Sequence, residues 1–379
     1  MFGKIASFEL RYQLKSPVLW ICFLLFFLLT FFAVASDNVS IGGGGGNVHE
    51  NSPFAIIMST VVMSIFAQFV VVAFVANVIL RDVETGFGPI IQSTRMSKFD
   101  YLFGRFTGAF VASMIVLASV PIGMMIGSFM PWLDPDTIGP FVPWHYAYGY
   151  FVAGVPTLFL CACMFFALAT VTRSMMGSYV GLIIFLVLYF VLNGIFDRPE
   201  FEDIVNLLEP YGIGALVQET RYWTAAERNT LVPPIANGWL INRAIWMSVA
   251  LMSLAAAYFL FSFSSKGSKA SRKRAKLEAE TPADPLLTTA GHAARRNFTG
   301  AASWSQTLAR ARFEFGYVMT GPAFIVLLMV GLLNAYGGLW YADTIAGNIT
   351  VYPVTMLMAQ ALMGGFTLFP IIIATYYSG

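Results

Sequence analysis

Charge is scarce in this chain. Lys, Arg, Asp and Glu make up 11% of its 379 residues against 58% hydrophobic residues, and no water-soluble domain of that length could enclose so much apolar surface in a core. Histidine is nearly absent: His49, His145 and His292 are isolated from one another, which argues against an imidazole metal site. The three cysteines, Cys22, Cys161 and Cys163, fall inside apolar stretches and match neither a zinc spacing nor a redox pair, so they read as packing residues. No G-x-x-x-x-G-K-[ST] loop for nucleotide phosphates, no H-E-x-x-H helix and no nucleophile elbow occurs, so none of these signatures marks an enzyme site within the chain.

Long apolar runs are what the chain has instead. A helical crossing needs about 20 apolar residues, and eight stretches qualify: 17–36, 54–80, 104–130, 147–171, 176–196, 239–262, 322–341 and 354–377. They are continuously apolar, not alternating, and so predict helices in place of barrel strands. The expected fold class is an all-α polytopic membrane protein. With the N-terminus inside the cell, eighteen of the 22 Lys and Arg residues fall on the inner side, and the short outer loops 37–53 and 131–146 carry none. This asymmetry predicts an N-in topology. Trp132, Trp144, Tyr146, Trp223 and Trp340 near span ends read as an aromatic belt.

Three parts follow. Residues 1–262 hold six spans with both ends inside. Residues 263–303 form a cytoplasmic linker, basic from Lys266 to Lys276 and then rich in Ala, Thr and Pro, with too few apolar residues to fold alone. Residues 304–379 open as the first part does: Phe8, Glu9, Tyr12 and Pro17 recur as Phe313, Glu314, Tyr317 and Pro322, each displaced by 305 positions and each set leading into an apolar run. Such symmetry is what duplicated transporter halves leave behind. The expectation is an interfacial helix and two spans of a second half, truncated from a longer protein.

The spans are almost free of ionisable groups. Gln68, Asn77, Asn193 and Gln360 are the polar residues at depth and the acidic ones cluster in loops, which weakens an ion-driven carrier, since such carriers place carboxylates within the membrane. Gln68 and Asn77 read as interhelical hydrogen-bonding groups. The most informative segment lies between the second and third spans, from Arg81 to Arg105. It opens on Arg81, Asp82, Glu84, Thr85 and Gly86, passes Ser93, Thr94, Arg95 and Lys98, and enters the next span through Tyr101-Leu-Phe-Gly104-Arg105.

That pattern resembles the coupling loop of type-2 ABC exporter permeases, which combines an acidic and basic pair, a Glu-x-Gly turn, a Ser-containing stretch and Tyr-Leu-x-Gly-Lys/Arg. The resemblance implies a six-span permease half followed by the start of a repeated half, with the segment from about Asp82 to Lys98 docking into a cleft on a cytosolic ABC ATPase. Gly86 would permit the turn, and Arg95 and Lys98 would offer charge. Gly88-Pro89 departs from the apolar helical run usual in that family. The family also begins with an interfacial helix, for which residues 4–16 are the candidate, with Phe8, Glu9, Arg11 and Tyr12 at its centre, and it carries short outer helices between its fifth and sixth spans, here within Asp197 to Asn242. ATP and Mg would then bind the partner subunit and no cofactor this chain. Two six-span halves would pair, within one chain or by dimerisation; the bilayer is the second partner, and no nucleic acid is implied. The N-terminal stretch also resembles long bacterial permeases that continue into a gluzincin-type aminopeptidase-like domain, which implies an inner-membrane location. An ion-coupled secondary transporter, or a membrane anchor for a soluble enzymatic domain, stays open beside this reading.

Overall fold

The structure, a computed structural model, describes residues 1–36, 41–42, 47–84, 96–195, 202–261 and 300–320, with three isolated helical positions beyond them. Among the described residues there is no β-strand. The helices are α1 (Phe2–Leu14), α2 (Pro17–Ala35), α3 (Pro53–Glu84), α4 (Lys98–Gly127), α5 (Pro143–Thr172), α6 (Met175–Ile195), three short helices α7 (Glu202–Leu208), α8 (Ile213–Glu219) and α9 (Ala225–Thr230), α10 (Asn237–Leu260) and α11 (Gly300–Thr320). Five of these, α2, α3, α4, α5 and α10, are long and apolar enough to cross a membrane, and α6 contains a shorter apolar segment, Gly177–Tyr189. The chain is an α-helical membrane protein. It divides into two units, Met1–Phe261 and Ser262–Gly379; the predicted spans 322–341 and 354–377 lie outside the described residues apart from the isolated positions.

Helical structure runs past the apolar stretches into charged sequence. The second and third predicted spans covered 54–80 and 104–130, whereas α3 continues to Glu84 and α4 starts at Lys98. The early start of α4 has a local cause. Ser97 is its N-cap: the Asp100 backbone N–H donates to Ser97 Oγ at 3.0 Å while the Ser97 hydroxyl donates to Asp100 Oδ2 at 2.8 Å, an arrangement that satisfies an orphan donor of the first turn. The ends of the segment Arg81–Arg105 are therefore helical turns, not loop. In α5 a π turn, Gly149–Gly154, precedes Pro156, which has no N–H to return to the carbonyl four residues back.

Two glycine pairs on α4 set its neighbours. Gly104 and Gly108 lie against α1, and Gly123 and Gly127 against α2. A methyl on Gly108 would stand 2.6 Å from Glu9 Cβ and one on Gly123 2.6 Å from the Phe27 carbonyl oxygen; the bare backbone is what lets each helix approach. Spacing of four residues between small side chains is the usual means of close helix contact in lipid, where apolar burial gives no preference for protein over tails. Thr30 consolidates the α2 crossing by donating to the Val120 carbonyl at 3.1 Å as well as within its own helix. The helix α3 is the most enclosed, with two thirds of its apolar window buried, and it packs against α4, α5 and α6.

The outer surface of the first unit is apolar. Trp20, Ile21, Leu24, Leu25, Leu28 and Phe32 on α2 are 40–63% exposed, and Leu251, Met252 and Phe259 on α10 more than half exposed. Stripes of that extent in water would be a liability; in a bilayer they meet acyl chains. At the end of the bundle where α3 begins, Asn51 donates to and accepts from the Gly139 backbone (2.8 and 2.7 Å), and Asn229 accepts from His49 N–H at 2.8 Å. Phe2 N–H and the Phe261 ring both meet the first turn of α4, at Asp100 and Tyr101, so the unit begins and ends on its opposite face.

Candidate functional site

Where α1 crosses the end of α3 and the start of α4, four charged side chains close on one another. Glu9 is fully buried. Its Oε2 accepts from Arg81 Nη2 at 2.9 Å and from Arg105 Nη1 at 2.6 Å; Oε1 accepts from Gln13 Nε2 at 3.2 Å. The second fork of Arg105 donates to Asp82 Oδ2 at 2.6 Å, which also accepts from the Tyr101 hydroxyl at 2.8 Å. Among the described residues of the junction, two carboxylates face two guanidinium groups, with Arg105 bridging them. The Arg81 guanidinium also lies 4.0 Å from the centre of the Tyr12 ring. Short, charge-assisted bonds in a desolvated place fix geometry more than they add net stability: the attraction only offsets the loss of hydration, yet removal of one partner leaves an uncompensated charge.

Helical spacing explains why these residues converge. Glu9 and Gln13 are four apart on one face of α1, and Tyr101 and Arg105 are four apart on the facing side of α4. Gly104 and Gly108 remove the side chains that would hold the two helices apart. The N-terminus of α1 is tied to the same helix, because Phe2 N–H donates to Asp100 Oδ1 at 2.9 Å.

The predicted residues are placed as follows. Glu9 and Tyr12, assigned to an interfacial helix, and Arg81 and Asp82, assigned to a coupling loop, belong to one junction. Lys98 lies 4.8 Å from the Tyr258 ring at the far end of α10. Phe8 and Arg11 are exposed. Thr85, Gly86, Ser93 and Arg95 lie outside the described residues, and Glu84 is described only as the last residue of α3. The helix α1 buries Glu9 and Gln13 and turns Phe8 outward, because the partner of its inner face is a charged helix end and not an apolar core. Arg105 and Tyr101 carry the centre of the junction although the sequence ranked them only as the loop's exit; their four-residue spacing beside Gly104 and Gly108 was the available signal.

A second polar cluster lies inside the bundle. The segment α7–α8 turns inward after α7, and the Tyr211 hydroxyl donates to Gln68 Oε1 at 3.0 Å, a position roughly 22 Å along α3 from its first residue at 1.5 Å per residue. Asn242 Nδ2 donates to the carbonyls of Asn206, Leu207 and Glu209 at 2.8–3.1 Å, satisfying the end of α7. Arg243 donates to Thr157 Oγ1 at 3.0 Å and to the Pro210 carbonyl at 3.1 Å. The Glu209 carboxylate accepts from Tyr211 N–H at 3.0 Å and Gly214 N–H at 3.2 Å. Burial pushes this carboxyl above its ordinary range, against backbone donors and Arg243, which pull it down. The sequence placed Glu209 and Arg243 in or beside an outer loop and left the spans almost free of ionisable groups. Hydropathy cannot register a loop that folds back between spans, so both were missed.

No protein-family model and no curated protein matches this chain.

Proposed function

We propose that this chain is the membrane-spanning permease of an ATP-driven exporter of the type-2 ABC class. Residues 1–262 form a six-span half with both ends in the cytoplasm, with α6 as the fifth span, and residues 304–379 begin a second half. The energy comes from a separate cytosolic ATPase that carries ATP and Mg and grips the segment from Asp82 to Lys98. Closure of the ATPase pulls on that segment, and the bundle alternates between inward-open and outward-open arrangements. The observation that carries this reading is the junction itself: α1 is held by Glu9 to Arg81 at one end of the segment and to Arg105 just beyond the other. A pull on the segment therefore reaches α1, α3 and α4 together. The test is ATP hydrolysis by a phosphate-loop ATPase reconstituted with the chain in vesicles. The chain stimulates hydrolysis, and Glu84→Ala or Gly86→Pro inserts normally but loses the stimulation; wild-type stimulation in both variants would sink the reading.

One observation favours a second reading, the ion-coupled carrier. Glu209 is the buried carboxylate that such a carrier requires. In that case transport follows an ion gradient with no ATPase present, and Glu209→Gln abolishes it. Gradient-driven transport that is absent from the unaltered chain, or that survives Glu209→Gln, would sink this reading.

A further inference from the structure

We propose that the outward face of α1 is a binding surface for anionic phospholipid headgroups. Lys4, Phe8, Arg11 and Lys15 are all exposed and follow one another at intervals of four, three and four, so they form a single stripe along the helix. The only acidic residue of α1, Glu9, is on the opposite face and fully buried in the junction. Lys4, Arg11 and Lys15 have no carboxylate partner among the described residues. Three cations and an exposed phenyl ring therefore face away from the helix's buried side, with no described residue of opposite charge paired to them.

The position of the stripe selects the partner. Residues Pro17–Ala35 enter the membrane two residues after Lys15, and Trp20, half exposed in the first turn of α2, donates its indole N–H to the Leu14 carbonyl at 2.9 Å. An indole with its polar edge on the last turn of α1 marks the boundary between headgroups and acyl chains. The stripe thus lies at headgroup depth, where phosphate supplies the missing charge and Phe8 inserts among the chains. An acidic soluble partner would leave Phe8 without a role. The inference rests on the membrane class of the protein and not on the identity of its energy source.

Fluorescence of the full chain in vesicles tests it. Trp20 is isolated as the difference between the chain and its Trp20→Phe variant, and quenching is compared for phosphatidylglycerol and phosphatidylcholine with brominated acyl chains. Trp20 is quenched preferentially by phosphatidylglycerol. The preference drops roughly fivefold in Arg11→Gln, as expected for one cation near an anionic surface, and vanishes in the Lys4→Gln/Arg11→Gln/Lys15→Gln variant, whose thermal unfolding in phosphatidylcholine matches the unaltered chain. An arm without substitutions covers the case of a misfolded variant: in about 1 M salt, where screening acts beyond about 3 Å, the unaltered chain loses its preference. Equal quenching by the two lipids in the unaltered chain, or an undiminished preference in the triple variant, overturns the proposal.

Discussion

Glu9 and Arg105 sit in the same junction but their removal has different consequences. Without Glu9, Arg105 still holds Asp82, and Arg81 keeps the Tyr12 ring and partial access to water. Without Arg105, Glu9 retains one of its two arginines, Asp82 keeps the Tyr101 hydroxyl, and among the described residues of the junction negative charge exceeds positive. Arg105→Leu should therefore lower stability by about 3–5 kcal/mol, the usual result of breaking a buried pair from one side, read as thermal unfolding in detergent. Glu9→Gln and Arg81→Gln should each do less, and their double variant should fall short of the sum by roughly 0.5–3 kcal/mol, because the two touch. Additive losses would mean that the Glu9–Arg81 pair contributes no coupling.

Among elements, glycine decides how close α1 and α7–α8 come to their partners. Gly108→Ala puts a methyl within 2.8 Å of the Ala6 carbonyl oxygen and nearer still to Glu9, so α1 must shift as a body; a loss of about 1–3 kcal/mol follows from overpacking. Gly3, on the same α1, has open space around it, and Gly3→Ala should be neutral or stabilising by up to about 1 kcal/mol through helix propensity. Equal effects at the two sites would remove the close crossing from the account. Gly212 opens α8 at φ +80° with Arg243 against it: a Cβ there would lie 2.4 Å from the guanidinium. Gly212→Ala should cost about 1–3 kcal/mol from the left-handed backbone and loosen α7–α8, detectable as faster proteolysis within 202–231 and slower or unchanged cleavage elsewhere.

At the scale of the whole molecule, the class was legible and the interior was not. Apolar length alone located α2, α3, α4, α5 and α10, because the bilayer imposes the same demand on every crossing. Charge asymmetry predicts which end faces the cytoplasm, and cysteine labelling checks it: with native cysteines replaced, Asp136→Cys labels from outside intact cells and Ser7→Cys only after permeabilisation. The reverse pattern would invert the topology. Sequence also brought Glu9 and Arg81 forward, but as members of two separate features, since residues 72 positions apart meet only through the crossing of α1 over α3 and α4. Glu209 was hidden for a related reason. Its neighbours in sequence describe an outer loop, while Tyr211, two residues on, reaches Thr157 and Gln68 inside the bundle.

The central claim is that a cytosolic ATPase grips the segment between α3 and α4. A photo-crosslinking amino acid placed at Ser93 in the full chain, in cells, tests it most directly, with the same group at Asp136 as the control. Mass spectrometry of the Ser93 adduct should identify a phosphate-loop ATPase, and the Asp136 adduct should contain none. An intact, membrane-inserted chain whose Ser93 adducts are lipid, or proteins without a phosphate loop, would contradict the account.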